Sequence, residues 1–83
     1  MEYARARGRL PEPLDGLLAS QLLTAIEEAN LGAADTHIAK RYMVDRLPQV
    51  DIAEEMGLHR KTINQRYKKA VPRVIYSAKN IPQ

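Results

Sequence analysis

Residues 52–70, IAEEMGLHRKTINQRYKKA, carry apolar, glycine and basic positions in the order that two short helices joined by a tight turn require. Ile52, Ala53 and Met56 fall on one face of the first helix. Gly57 can take φ > 0 where that helix ends, and Leu58 is expected to plug the turn. A second helix then opens at His59 or Arg60, so the stretch reads as a helix-turn-helix. His59 stands where Ser or Thr usually caps such a helix; a neutral imidazole can accept that bond, and a protonated one can contact a phosphate.

Pro48 suits the first turn of the helix that ends at Gly57, because its missing N–H costs nothing there. Upstream, Asp35 or Thr36 is expected to cap a helix running to about Arg46, with Ala34, Ile38, Ala39, Tyr42 and Met43 facing inward. Gly32 is expected to close a still earlier helix over residues 14–31, where Leu14, Leu17, Leu18, Leu22, Ala25, Ile26 and Ala29 recur at three- and four-residue steps. Leu23 lies off that stripe and is open to a second contact, such as the other copy of a homodimer.

Residues 1–13, with Arg5, Arg7, Arg9, Gly8, Pro11 and Pro13, read as a flexible basic arm of the kind that enters a minor groove in some DNA-binding domains. Downstream, Pro72 predicts a break near residues 69–71 and then a short final helix whose Val71, Val74, Ile75 and Ala78 pack back on the bundle. Residues 80–83 are expected to fray. The expected fold is all-α: a small four- to five-helix domain over residues 14–79, with the helix-turn-helix at about 49–70.

A chain of 83 residues supports one small domain with a modest core. It has no cysteine, no histidine cluster at ligand spacing and no apolar run long enough for a bilayer, which argues against disulfides, metal, cofactor and membrane insertion. The first ten residues hold three arginines and no apolar core, so no signal peptide is expected and the location is read as cytoplasmic. No paired carboxylates, nucleophile with base or phosphate-cradling glycine loop points to an enzyme.

Charge divides the chain sharply. Residues 1–55 hold six Lys/Arg and ten Asp/Glu, whereas residues 56–83 hold seven Lys/Arg and no acid. A one-signed field over the second of the paired helices attracts a polyanion and supplies salt-dependent affinity before any base is read.

At 100° per residue, Arg60, Lys61, Asn64, Gln65 and Lys68 fall within a sector of about 140°, opposite Ile63, Tyr67 and Ala70. One face is therefore built to pack and the other to meet a ligand. Asn64 and Gln65 are carboxamides, able to bond adenine N6 and N7 together; Arg60 and Lys61 can reach guanine O6 and N7 or a phosphate. These four are the candidate base readers of double-stranded DNA. His59, Lys68, Lys69 and Arg73 are candidate phosphate contacts, being at the helix start or further along it. Arg66 flanks the packed face and is expected to pair with Glu54 or Glu55.

With these positions set out, IAEEMGLHRKTINQRYKKA resembles the helix-turn-helix of sigma factor region 4. Alternative members of that family often read IA, three variable residues, G, then TV, two variable residues, R and, four residues later, A. Ile52, Ala53, Gly57, Thr62, Ile63, Arg66 and Ala70 fill those places, and RYMVDRLPQVD at 41–51 resembles the helix and loop leading into the motif. The resemblance covers about residues 38–71. It implies reading of a promoter's major groove and docking on RNA polymerase, in a bacterial or phage-infected cell. Pro48 and Pro72 depart from the family pattern, and nothing in residues 1–37 resembles the promoter-opening domain of a sigma factor. A weaker similarity, through an Ala-Ile-containing helix ahead of the motif, is to phage late antitermination proteins of the Q type. That alternative keeps the same residues but makes the chain an RNA polymerase-binding modulator.

Overall fold

The computed structural model describes residues 10–80, and these form an all-α domain. A single 3-10 turn at Leu14–Gly16 precedes four helices: α1 (Ala19–Glu28), α2 (Ala33–Ala39), α3 (Gln49–Met56) and α4 (Arg60–Lys79). The last turn of α2 widens into a π-helical segment, Lys40–Val44.

The first helix starts five residues later than its apolar period suggests. Pro11, Pro13 and Gly16 interrupt helical growth, and Leu17 is extended. The helix begins where the Gln21 side chain accepts the Leu18 backbone N–H at 2.8 Å, so it is a local cap that sets the boundary. Leu14 is nevertheless fully buried. Leu10, placed by sequence in the arm, is also buried, and its N–H donates to Asp15 at 3.0 Å. Residues 1–9, which carry the three arginines of the expected arm, lie outside the described residues, as do 81–83 of the expected tail.

Two further boundaries differ from expectation. The chain leaves α1 through Asn30, at φ 54, and Gly32, at φ 97, opens α2 rather than closing α1. Asn is among the few side-chain-bearing residues that tolerate the left-handed region. Because α2 begins at Ala33, neither Asp35 nor Thr36 caps it, and Ala34 is exposed.

Buried residues fall into two clusters. One gathers Leu10, Leu14, Leu22, Ala25, Ile26, Ala29, Ala39, Met43, Val74 and Ala78; the other gathers Ile38, Ile52, Ala53 and Ile63. Tyr42 and Tyr67 pack against both, with ring centroids 4.5 Å apart and planes tilted by 59°. Thus α4 serves both clusters, through Ile63 near its start and Val74 and Ala78 near its end.

That double duty explains why Pro72 does not break α4, which runs unbroken from Arg60 to Lys79. An interior proline costs about 3 kcal/mol. Pro72 is on the solvent side, as is Lys68, whose carbonyl has no N–H at position 72 to accept from. Burying Val74 alone contributes roughly 1.5–3 kcal/mol, and Ala78 adds to it. Packing on both sides of the proline therefore outweighs the local penalty.

Candidate nucleic-acid interface

Residues 57–59 set how α4 projects from α3. Gly57 is left-handed at φ 68 and ψ 30, and the next N–H, of Leu58, bonds back to the Ala53 carbonyl at 2.9 Å. This is the turn expected from sequence. Leu58, however, is exposed and does not plug it; Ile52, Ala53 and Ile63 fill the interior beneath. His59 then caps α4, its Nδ1 accepting the Lys61 backbone N–H at 3.4 Å. Acceptance at Nδ1 leaves Nε2–H as a donor.

Helical phase arranges the exposed side of α4. Arg60, Lys61, Gln65, Lys68 and Lys69 are exposed and Asn64 is partly covered, while Ile63 and Ala70 are buried and Tyr67 is half-buried. Six of the eight sequence-derived site residues thus share this side, and His59 sits at its N-terminal edge. Among the described residues, no carboxylate pairs with Arg60, Lys61, Lys68 or Lys69.

Two grooves flank the ridge made by Lys61, Gln65 and Lys68. One, of about 500 Å³, is lined by Gln49, His59, Arg60, Lys61 and Asn64. The other, of about 380 Å³, is lined by Asp35, Thr62, Gln65, Arg66 and Lys69. A third groove, of about 510 Å³ and lined by residues that include Glu28, Arg73 and Tyr76, lies at the C-terminal half of α4.

Three side chains are engaged in ways that sequence did not suggest. Gln49, on the first turn of α3, donates from Nε2 to Asn64 Oδ1 at 3.3 Å. Arg66 pairs with Asp35 of α2 at 2.9 Å, not with Glu54 or Glu55. Arg73 donates to the carbonyls of Ala29 and Asn30, at 3.2 and 3.3 Å, so it caps the end of α1 and stands apart from the other candidate phosphate contacts. Gln49 joins the site through its bond to Asn64 and the groove they share, and Thr62 through the second groove. Nothing in the sequence gives Gln49 a site role, and Thr62 stands out only as a position of the sigma-like pattern.

Glu55, on α3, is held from the side of the preceding helical segment. Glu55 receives a two-pronged bond from Arg41, Nε at 2.8 Å and Nη2 at 2.9 Å, and His37 Nε2 lies 2.9 Å away. Arg41 above all, then His37, pulls the Glu55 carboxyl down to about 2. Arg41 also bonds Asp45 at 2.8 Å. Arg41 thus takes up Glu55 and Asp45, while Asp35 is the acid that pairs with a cation of α4, Arg66. Burial pushes the Tyr67 hydroxyl up to about 12, so it is neutral beneath the basic face.

Among the described residues there is no cluster of His, Cys, Asp and Glu able to hold a metal ion, and no helix long and apolar enough to cross a membrane. Comparison of the chain with models of known protein families, with curated proteins and with solved structures found no match.

Proposed function

We propose that α3 and α4 form a helix-turn-helix that reads the major groove of double-stranded DNA, and that the chain is a sequence-specific transcription regulator of a bacterial or phage-infected cell. The observation that carries this reading is the exposed side of α4: cations with no acidic partner among the described residues surround two carboxamides on the helix that leaves the left-handed Gly57 turn. Cations supply affinity for phosphates, and carboxamides supply hydrogen bonds to base edges. The two flanking grooves suit a ridge that enters a groove between two phosphate backbones.

The alternative, an RNA polymerase-binding modulator or antitermination factor, draws on the sigma-like residues. Of those, Ile52, Ala53, Ile63 and Ala70 are buried and Gly57 makes the turn. They build the scaffold and speak for no particular protein partner, so DNA reading is the better supported function.

Selection of bound duplexes from a random pool, followed by competition against a scrambled site, tests it. Asn64→Ala or Gln65→Ala is expected to lose about 1–3 kcal/mol on the selected site and flatten discrimination, whereas Lys68→Ala weakens all duplexes alike. Four phosphate contacts from the unpaired cations would give a log–log salt slope of about −3 to −4. A slope near zero would overturn the proposal.

A further inference from the structure

Asn64 and Gln49 are joined across the turn, and the direction of that bond has a consequence for which base is read. An Asn carboxamide is nearly symmetric in shape but opposite in chemistry on its two edges, since oxygen only accepts and NH2 only donates. Its terminal torsion is broad and roughly two-fold, so an unheld Asn presents either edge at little cost. Here Gln49 Nε2 donates to Asn64 Oδ1 at 3.3 Å, in a partly buried position. The planar amide therefore carries its Nδ2–H2 on the edge away from Gln49. Gln49 itself sits on the first turn of α3, whose direction relative to α4 is set by Gly57 and by the packing of Ile52, Ala53 and Ile63. The backbone that carries the donor is thus fixed relative to α4.

We infer that Gln49 is a specificity-determining residue: its bond to Asn64 holds that carboxamide with the donor edge free, so that Asn64 selects a base presenting acceptors in the major groove. Guanine, with N7 and O6 both acceptors, fits best, and cytosine, which offers only the N4 donor, fits worst. Gln49 is a positioning residue, acting through Asn64. The inference rests on the duplex-reading proposal and narrows it. It also changes the expectation from residue type alone, by which Asn pairs with adenine N6 and N7. In that pairing Oδ1 must turn its second lone pair to adenine N6–H, and adenine offers the free donor edge one acceptor, N7, against two on guanine.

The two readings fail separately in one experiment. Binding is profiled for the full chain against a pool of duplexes randomised over the selected site, and the position whose preference disappears in Asn64→Ala marks the base that Asn64 reads. Wild type is expected to favour guanine over cytosine there by about 5- to 100-fold. Gln49→Ala frees the amide to turn over and is expected to reduce that ratio below about threefold. Gln49→Glu is the sharper test. A glutamate cannot donate to Oδ1 but accepts from Nδ2–H, which turns the amide over and exposes its oxygen. The preferred base is then expected to change to one with an exocyclic donor, cytosine or adenine, whatever the overall affinity. A merely structural role for Gln49 would not invert a base preference. Lys68→Ala serves as the control, lowering affinity with the wild-type profile intact.

If Gln49→Ala and Gln49→Glu keep the wild-type profile at that position, or if wild type prefers cytosine there, the inference is overturned while DNA reading stands. If wild type binds no duplex in a salt-dependent way, the DNA-reading proposal itself falls, and the inference with it.

Discussion

Arg66 Nη1 lies 2.9 Å from Asp35 Oδ1, joining the middle of α4 to the first turn of α2. The pair lines the groove that also holds Gln65 and Lys69, so a carboxylate lies beside cations expected to meet phosphates. Both partners remain partly open to solvent, which limits the pair's stabilising contribution to about 0–1 kcal/mol.

Replacing Asp35 with Asn should therefore leave melting almost unchanged while releasing Arg66 to the duplex. Affinity should rise for all sequences alike, and the log–log salt slope should steepen by about 0.9, the increment for one added phosphate contact. Weaker binding by Asp35→Asn would mean that the pair positions α4 rather than restraining Arg66.

Glu55 makes stability depend on acid pH. Its folded carboxyl titrates at about 2, below the ordinary value of 4.5, because Arg41 and His37 favour the charged form. The folded state therefore binds fewer protons than the unfolded chain between these values. Stability from this source is fully present above pH 4.5 and is lost as pH falls toward 2. In chemical denaturation followed by circular dichroism, Glu55→Gln should be less stable than wild type near neutrality and should show a flatter pH dependence over that window. Parallel curves for the two proteins would remove the Arg41–Glu55 bond as a source of stability.

A Cβ at Gly57 would meet no atom within 4 Å, so the cost of substitution there is conformational and not a clash. With φ at 68, Gly57→Val should lose about 1–2 kcal/mol, seen as a lower Tm, and Gly57→Asn should lose less. Equal melting for wild type and Gly57→Val would show that the left-handed turn does not contribute to stability.

Pro72→Ala should stabilise. It restores a hydrogen bond to the Lys68 carbonyl and relieves the ring clash, a gain of about 3 kcal/mol, offset by up to about 1 kcal/mol from a more flexible unfolded chain. The net of about 2 kcal/mol corresponds to a Tm rise on the order of 8–16 °C for a domain this small. Pro72 is exposed, so no core contact is sacrificed. A lower Tm would show that the proline orders α4 instead of straining it.

The amino-acid sequence by itself determined the features that depend on neighbours a few residues away. Gly57 is the turn, His59 the cap, and Ile52, Ala53, Ile63 and Ala70 face inward. Arg60, Lys61, Asn64, Gln65 and Lys68 share one side of α4, because a helix turns by a fixed angle per residue and phase can be counted along the chain. Only the tertiary structure decided what depends on how helices cross. Pro72 remains helical because Ile63 and Val74, on either side of it, are buried in separate clusters. Arg66 meets Asp35, 31 positions back in the chain, while Glu55 is taken by Arg41. Arg73 reaches the end of α1, and Gln49 finds Asn64 fifteen positions away. Long polar side chains reach several candidate partners of equal chemistry, and proximity in the folded chain selects among them.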